Sequence, residues 1–481
     1  MFLDSLNRRR FLHSGLLSPV VGQTLLGGSK VIGSEAAGSE AAGSGVVGSE
    51  VNLSEHGIEV LLPRNRVPLS FIIDDSTCLV NMGHFCTPQF AEAWPDRGEY
   101  QKPWQQWPRE IPDAFVREFG EWCALKGVRG KYSIVPNPAC VGWMDRELPG
   151  WSRKQLQESL RLVRELMLPN WDIHPEMITH TRVIDLKTGR PLKEIHAGTM
   201  ENSYPQEKKS IDELAAYLAY ALRILKQCDL PCEGVTTPGG FGNQVKSELS
   251  LAADQAVRDV YQVELPHYFK YVHTGEQSTE PIIENFRNEG TLSPQMIVNV
   301  PAGTGDWFGG WQGDRLSEPD RYANQDATSG RMVELIQRRQ PAVMLCHWPG
   351  MYSNGTKEGF IAFKRVVESI ERRFGAETLW MKVSEIARYW ASKAACIFNA
   401  SAGKLVIDCP IQTPMFTIRI QGQKGPVRCH ELGSKGDQSV QVLREVSQVK
   451  QLESGCWMQE GDDLLLCIDL NDSKIELRFD S

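Results

Sequence analysis

The sequence lacks several features that would place it in a specialised class. No run approaches about 18 consecutive apolar residues, so we expect no ordinary membrane span. The 12 cysteines in 481 residues include no Cys-x-x-Cys pair, which argues against a disulfide scaffold, a zinc ribbon or a thioredoxin-type motif. Basic side chains number 52 against 60 acidic ones, a net charge of −8, and they form no dense stripe. We therefore expect no nucleic-acid partner.

What is present is an ordinary globular composition with one excess. Hydrophobic residues make up 41% of the chain and charged residues 23%, which excludes a mainly disordered or collagen-like chain. The length predicts roughly two to four domains. Tryptophan is the excess, with 13 residues, ten of them before residue 349. Composition alone leaves the oligomeric state open.

The first 65 residues read as an export signal and a tether. Residues 1–27 contain Arg-Arg-Arg-Phe-Leu followed by a mildly apolar stretch, which resembles a twin-arginine signal. We expect export to the periplasm or cell surface, with membrane attachment only if the signal is retained as an anchor. Residues 28–65 form a low-complexity tether and lead-in, in which Gly-Ser recurs every five residues from 28 to 48. Such a tract buries too little apolar surface to fold.

Strands and helices alternate through residues 66–394. Short apolar runs predict strands, and amphipathic spacing predicts the helices between them, including one over 113–126. Ser152 with Gln155, and Ser210 with Glu213, form capping-box patterns at two helix starts. Seven or eight such units in series predict an α/β fold, a distorted (β/α)7-8 barrel with its chemistry at the carboxyl ends of the strands. Residues 395–481 alternate with period two and predict a small antiparallel, β-sandwich-like accessory domain.

Asp74 and Asp75 end the first apolar strand and give the sharpest chemical signal. Two adjacent carboxylates cannot both enter the core unpaired, because burying a charge is costly. One can bind a metal ion while the other acts as a base. The alternative is an acidic pair that caps the following turn.

His174 and His180 lie on the third strand and at its exit. With Asp75 they could supply the three protein ligands that a catalytic zinc ion requires. Both imidazoles reach one ion only if the strand ends and the chain turns back, and Pro175 makes such a break plausible. The alternative is one core histidine and one loop histidine.

Three further features could contribute to the same face of the barrel. His347 follows a buried strand and is placed to act as a general acid, although a structural histidine is the alternative. The loop 236–242, with Gly239 and Gly240, could direct backbone N–H groups at a developing oxyanion, or could be only a turn. Asp306 also follows a predicted strand.

Many tryptophans fall in predicted loops, where aromatic faces could stack on sugar rings; ordinary packing is the alternative. They are Trp94, Trp104, Trp107, Trp143, Trp307, Trp311 and Trp348. The residues that we expect to contact substrate are Asp306, Trp307, Trp348, Gly239 and Gly240.

Taken in order, these elements resemble the polysaccharide deacetylase family, the nodulation-deacetylase-like carbohydrate esterases. The matching motifs are Asp74-Asp75 after the first strand, His180-Thr181 after the third, Thr237-Pro238-Gly239-Gly240 after the fourth, Leu345-Cys346-His347 on a late strand, and Val383 to Ala387 after the last. The resemblance covers roughly residues 66–392. It implies a metal-dependent enzyme that removes acyl groups from amino sugars.

By this resemblance Asp74 is the base, Asp75 a metal ligand and His347 the general acid. Two family features are missing. The second metal histidine would lie four residues after the first, where the chain has Ile184, and no arginine precedes the Pro-Gly loop. The chain is therefore a divergent member by this criterion.

We carry three functional hypotheses forward. The first is a hydrolase that deacylates an extracytoplasmic glycan, with Asp75, His174 and His180 holding a divalent ion such as Zn²⁺. The second is a non-catalytic glycan-binding barrel. The third is a glycoside hydrolase, which would need two carboxylates roughly 5–10 Å apart; Asp74 with Asp306 or Glu176 are the candidates.

Overall fold

The computed structural model describes residues 57–401, 403–432 and 438–479. The predicted signal, residues 1–27, and most of the tether lie outside these ranges. Within them, no helix combines the length and the apolar character needed to cross a bilayer.

The described strands are β1 (Ile58–Val60), β2 (Val67–Asp74), β3 (Gly130–Ile134), β4 (Trp171–Pro175), β5 (Ile184–Asp185), β6 (Arg190–Pro191), β7 (Gly234–Thr236), β8 (His267–Phe269), β9 (Ile282–Arg287), β10 (Gln295–Asn299), β11 (Ala342–His347), β12 (Thr378–Trp380), β13 (Ile397–Ser401), β14 (Lys404–Asp408), β15 (Thr413–Ile420), β16 (Val427–Leu432), β17 (Gln438–Val442), β18 (Arg444–Glu445), β19 (Cys456–Glu460), β20 (Asp463–Leu470) and β21 (Lys474–Phe479).

The described α-helices are α1 (Met82–Ala93), α2 (Asp113–Lys126), α3 (Arg153–Leu162), α4 (Ile211–Gln227), α5 (Lys246–Tyr261), α6 (Arg331–Gln337), α7 (Trp348–Tyr352), α8 (Glu358–Phe374) and α9 (Val383–Ala395). The helix predicted over 113–126 is confirmed as α2, and both predicted capping boxes are present at the starts of α3 and α4.

Two sheets carry the parallel strands. One has the order β11-β2-β3-β4, with β12 beside the first residues of β2, and the other has the order β7-β8-β10-β9, in which β9 is antiparallel. A single parallel bridge, Glu176 to Thr236, joins the chain after β4 to β7. At the second junction between the two sheets, the N–H of Gly303, which follows β10, donates to the carbonyl of Val343 in β11 at 2.8 Å.

The parallel α/β architecture is confirmed, but the ladders of the described residues do not close into a continuous barrel. The ladder is interrupted at two places, between β4 and β7, where only the single bridge forms, and between β10 and β11, which do not pair as strands. The carboxyl ends of the parallel strands still face one another, because the single bridge and the Gly303 hydrogen bond hold the sheets together.

The core of this region forms because β2 is buried along its whole length. Phe71 of β2 stacks on Phe363 of α8 with ring centroids 4.4 Å apart, and Phe119 of α2 packs against the same helix. Each buried aromatic side chain of this kind contributes about 1.5–3 kcal/mol by leaving water. Strand β2, which ends at the candidate site, is therefore held from both faces.

The C-terminal strands form two five-stranded sheets, β13-β14-β21-β16-β17 and β1-β15-β20-β19-β18. Strand β1 comes from the lead-in segment before the parallel strands, and its Ile58 lies opposite Ile420 of β15. The buried side chains of these sheets share one core with Val343 and Leu345 of β11 and with Val298 of β10. All twelve cysteines are free thiols.

Candidate metal and acid–base site

The carboxyl ends of β2, β4 and β11 meet at one open pocket. Asp75 follows β2 directly, and His180 lies in the loop after β4. His347 is the last residue of β11 and pairs in register with Asp74 on β2. Asp75, His180 and His347 line the pocket. The architecture thus brings together side chains that are far apart in sequence.

Asp75, Glu176 and His180 form a buried cluster whose potential ligand atoms all lie within 4.8 Å of one another. His180 Nε2 is 2.8 Å from Asp75 Oδ1 and 3.4 Å from Glu176 Oε1. The other oxygen of Glu176 accepts a hydrogen bond from the N–H of Asp75 at 2.7 Å. Two carboxylates and one imidazole are therefore held together at the floor of the pocket.

The loop after β4 turns sharply to bring His180 back to this cluster. Met177 and His180 both have positive φ, 50° and 63°, which non-glycine residues rarely adopt. The Glu201 carboxylate stabilises the turn by accepting hydrogen bonds from the N–H groups of Ile178, Thr179 and His180. Burial raises the pKa of Glu201 to about 7, against the lowering effect of its hydrogen bonds.

The side chains of the cluster are two carboxylates and one imidazole, all of them almost completely buried. His180 lies within ion-pair distance of both Asp75 and Glu176. Burial alone would lower the pKa of His180, but the charge of Asp75 and its hydrogen bond outweigh burial and raise that pKa well above its usual value. Two carboxylates and one imidazole are a donor set that fits a divalent cation.

His347 and Asp306 form a second pair at the pocket. His347 Nδ1 lies 2.7 Å from Asp306 Oδ2, and the same oxygen accepts the N–H of His347 at 3.2 Å. Phe308 donates its N–H to the other oxygen of Asp306. Burial lowers the pKa of His347, but the Asp306 hydrogen bond and nearby carboxylates raise it above its ordinary value. Asp306, expected as a substrate contact, orients His347 as well as lining the pocket.

Asp74 lies behind the pocket surface and forms an ion pair with Lys131 of β3. Both side chains are fully buried. The Lys131 ammonium also donates to Ser133 Oγ at 2.8 Å and to the carbonyl of Ile73 at 3.3 Å.

The structure does not bring His174 to the cluster, contrary to our expectation that it joins Asp75 and His180. Its Nε2 lies 2.8 Å from His267 Nε2 on β8, and its Nδ1 lies 3.3 Å from Thr236 Oγ1. A residue two positions earlier on a strand is displaced by about 6–7 Å, so His174 sits deeper between the strands than Glu176. Burial lowers the pKa of His174 well below its usual value and that of His267 to about 4, which keeps this pair neutral.

Two of the expected substrate contacts are not in the pocket. Trp348 is fully buried and packs against Phe115 and Tyr132 in the core. Trp307 is 7% exposed and contacts Tyr322. Trp348 directly follows β11, whereas Trp307 lies in the loop after β10, and both side chains are buried.

Other aromatic side chains line the pocket instead: Phe90, Trp94, Tyr100 and Trp311. Of the two glycines, Gly239 lines it, while the N–H of Gly240 donates to the carbonyl of Asn202 and so is occupied in holding the loop.

Several residues of the site were missed by the sequence reasoning. Glu176 was considered only as a glycosidase carboxylate, although its position four residues before His180 is a usable signal. Glu201 and Lys131 gave no signal, because their roles depend on contacts between distant elements. Of the aromatic pocket residues, Trp94 and Trp311 were among the loop tryptophans that we expected to stack on sugars, whereas Phe90 and Tyr100 were missed.

Comparison with known proteins gives a likeness of shape only. No family model matches the chain, and no curated protein matches it significantly. A candidate polysaccharide deacetylase from Mycobacterium smegmatis is 9% identical, with a TM-score of 0.39, over 71% of this chain and 96% of that one.

Two other solved structures are similarly distant. A candidate glycoside hydrolase or deacetylase from Parabacteroides distasonis is 10% identical, with a TM-score of 0.36, over 80% of this chain and 86% of that one. A mutant of a CE4-family pseudoenzyme with restored enzymatic activity is 12% identical, with a TM-score of 0.29, over 68% of this chain and 69% of that one. All three TM-scores lie below 0.5, so the likeness does not assign the chain to a family, and its function has to be argued from the site.

Proposed function

We propose that the protein is a metal-dependent hydrolase that removes acyl groups from a glycan, of the polysaccharide deacetylase type. The observation that carries this proposal is the convergence of two chemically distinct units on one pocket. One unit is the cluster of Asp75, Glu176 and His180, and the other is the His347–Asp306 pair. Hydrolysis of an amide needs a polarised carbonyl and a proton for the leaving amine, and these units supply the two requirements.

Asp75, Glu176 and His180 would hold the metal, with Glu176 in the role we had expected for His174. A divalent ion bound there supplies Lewis-acid polarisation of the acyl carbonyl and of the attacking water. Two carboxylates with one imidazole suit Zn²⁺, and they also suit harder ions such as Mn²⁺ or Mg²⁺ more than a histidine-rich set would.

The protein groups account for the protons. By the resemblance to the deacetylases, Asp74 would accept the proton of the attacking water as the water oxygen bonds to the acyl carbon. Its carboxylate pairs with Lys131 and belongs to the residue next to Asp75, which lines the pocket. His347, whose Nδ1 is held by Asp306, donates the proton on Nε2 to the nitrogen as the carbon–nitrogen bond breaks. The products are a free carboxylate and an amino sugar.

The first test separates metal binding from activity. Purified protein is dialysed against Zn²⁺, Mn²⁺ or Mg²⁺ and its metal content is measured by mass spectrometry. We expect one ion per chain, and at least a tenfold weaker affinity in Glu176→Gln. The matched control is Glu284→Gln, because that carboxylate is bonded by Tyr268 and does not line the pocket. Absence of any bound ion, or equal affinity in both variants, would contradict the assignment.

The second test follows the reaction. Chitohexaose, an N-acetylated neutral oligosaccharide, is incubated with the metal-loaded protein, and released acetate and new reducing ends are both assayed. We expect acetate, and a loss of about 10²–10⁴ in rate in His347→Ala. New reducing ends without acetate would indicate the glycoside hydrolase, and saccharide binding without either product would indicate the non-catalytic barrel.

The extracytoplasmic location of this activity is a further part of the proposal and is supported by the sequence of residues 1–27 alone. Fusion of those residues to a reporter that folds before export, with and without Arg-to-Lys changes at the arginines, tests it. We expect export of the unchanged fusion only.

A further inference from the structure

Two cysteines lie where α9 meets the C-terminal strands. Cys396 follows α9 and directly precedes β13, and Cys409 directly follows β14. These strands pair antiparallel with Ile397 opposite Asp408, so the next position in the same register places Cys396 opposite Cys409. Opposite residues of antiparallel strands have Cα atoms about 4.5–5.5 Å apart, within the range of about 4.4–6.8 Å that a disulfide requires.

The register continues through both cysteines. Cys396 has an extended backbone, with φ −66° and ψ 139°. On the other side of β14, the N–H of Cys409 donates to the carbonyl of Ser473 at 2.8 Å, which extends the pairing of Asp408 with Lys474 by one position. The backbone therefore holds the two cysteines opposite each other.

Both thiols point to the same side of this strand pair. Cys396 is 6% exposed and Cys409 is fully buried, whereas Ile397, one position along, is 39% exposed. Leu405 and Ile407, which share a face of β14 with Cys409, are buried in the same core as the two cysteines. Opposite residues of an antiparallel pair face the same way, so the thiols meet in this core.

The two thiols are also in contact. The Cys396 thiol donates a hydrogen bond to the sulfur of Cys409, and this bond lowers the pKa of the Cys409 thiol. A lower pKa gives more thiolate, the form that attacks a disulfide. Cys409 Sγ lies 2.8 Å from the carbonyl oxygen of Ile411, but a thiol is a weak donor, so loss of this hydrogen bond costs little.

A second pair of cysteines shows that strand register alone does not bring thiols together. Cys456 and Cys467 are opposite each other on β19 and β20, and both are buried. The sulfur of Cys456 accepts a hydrogen bond from Arg444 at 3.4 Å, and the Cys467 thiol is bonded to two hydroxyl groups. These thiols are engaged with other groups, whereas those of Cys396 and Cys409 are bonded to each other.

We propose that Cys396 and Cys409 are an oxidation site, at which an oxidant that carries a disulfide bond converts the two thiols to a disulfide joining the end of α9 to β14. The thiolate of one cysteine attacks the oxidant's disulfide, which forms a mixed disulfide and releases one thiolate. The second cysteine, also as a thiolate, attacks the protein sulfur of the mixed disulfide and releases the other half of the oxidant. The oxidant is thereby reduced to two thiolates, which take up the two protons that the cysteines lost.

This disulfide links the last helix before the C-terminal strands to those strands covalently. Helix α9 is held at its first turn, where Asp172 of β4 accepts the N–H of Ser384, and the disulfide holds its other end. Closing the loop 396–409 restricts the unfolded chain, so the oxidised protein is the more stable form. Disulfides persist in oxidising compartments, and the export proposed above would bring the chain into one. The disulfide does not depend on the proposed function, because neither cysteine lines the pocket.

The first measurement maps the bond. The purified full chain is incubated with oxidised glutathione, its remaining thiols are blocked with iodoacetamide, and the protein is digested with trypsin without reduction. Trypsin cuts after Lys393, Lys404 and Arg419, so the two cysteines fall in different peptides, 394–404 and 405–419. We expect mass spectrometry to find these peptides joined, and separated again after dithiothreitol.

The second measurement compares the thermal stability of variants. Oxidation should raise the Tm of the unchanged chain by roughly 2–6 °C. In Cys409→Ala neither the joined peptides nor the rise in Tm should appear. The matched control is Cys429→Ala, because Cys429 lies in the same core and has the same 6% exposure as Cys396. That variant should keep both.

Three results would overturn the inference. Recovery of peptide 394–404 with Cys396 alkylated, or carrying glutathione without a cross-link, would show that the two thiols do not combine. Linkage only among other cysteines, such as Cys456 with Cys467, would place the oxidation site elsewhere. An equal rise in Tm in Cys409→Ala would show that the stabilisation comes from another bond. Because the peptide map is made on the unchanged chain, it decides whether the bond forms even if a variant does not fold.

Discussion

Replacement of Lys131 by methionine tests how much the buried ion pair between Lys131 and Asp74 contributes to stability. Lys131 and Asp74 are fully buried, and the ammonium makes further hydrogen bonds to Ser133 and to the carbonyl of Ile73. Methionine fills a similar volume but removes the ammonium that pairs with the buried Asp74 carboxylate. Loss of one partner of a buried pair costs about 3–5 kcal/mol. We expect the free energy of unfolding at pH 7 to fall by that amount.

The assay is urea unfolding followed by tryptophan fluorescence, repeated for Asp74→Asn and for the double variant. Removal of both charges leaves no unpaired ion, so the double variant should be more stable than either single one, as double-mutant cycles detect. The deficit of Lys131→Met should also shrink at low pH, where the Asp74 carboxylate takes up a proton. The control is Lys126→Met, which removes a partly exposed pair with Glu371 and should cost less than about 1 kcal/mol.

Two results would refute this reasoning. One is a Lys131→Met protein within about 1 kcal/mol of the unchanged one, which would mean that Asp74 is already neutral or solvated. The other is a double variant no more stable than the worse single variant, which would mean that the two charges do not interact.

Three further predictions concern residues around the pocket. Glu201→Gln replaces the carboxylate that accepts the loop N–H groups of Thr179 and His180. Urea unfolding should show a free energy of unfolding lower by about 1–3 kcal/mol. Calorimetry should show roughly tenfold weaker metal binding. Asp306→Asn removes a carboxylate that raises the pKa of His347, so that pKa should fall. His347 can act as an acid only below its pKa. The alkaline limb of the pH–rate profile should therefore move to lower pH. Trp348→Ala should cost about 3–5 kcal/mol in urea unfolding, since the side chain is in the core, whereas Trp311→Ala should weaken chitohexaose binding with a smaller loss of stability.

The parts of the fold that could be predicted from the sequence are those governed by local rules. The capping boxes at Ser152 and Ser210 depend on residues three apart, and β2 is recognisable from one apolar run ending in Asp74 and Asp75. The site was predictable to the same extent. Asp75 and His180 meet because each follows a parallel strand, a position that the strand pattern already indicates.

The rest depends on geometry that the pattern does not contain. Whether His174 or Glu176 reaches the cluster is decided by the residue at which the chain leaves β4, a difference of two positions. A tryptophan in a loop is buried or exposed according to what packs over it, so Trp348 and Trp311 look alike in the sequence. The closure of the barrel depends on which neighbouring strands pair, and apolar runs do not show that.

The pairing of β1 with β15 bears on how the chain can be divided. The polypeptide enters the fold through a C-terminal sheet, crosses all the parallel strands, and then returns to complete that same sheet. Removal of the last strands would strip β1 of its partner and uncover Val343 and Leu345 on the outer face of β11, the strand that carries His347. We therefore expect the C-terminal strands and the parallel strands to unfold together, in one transition.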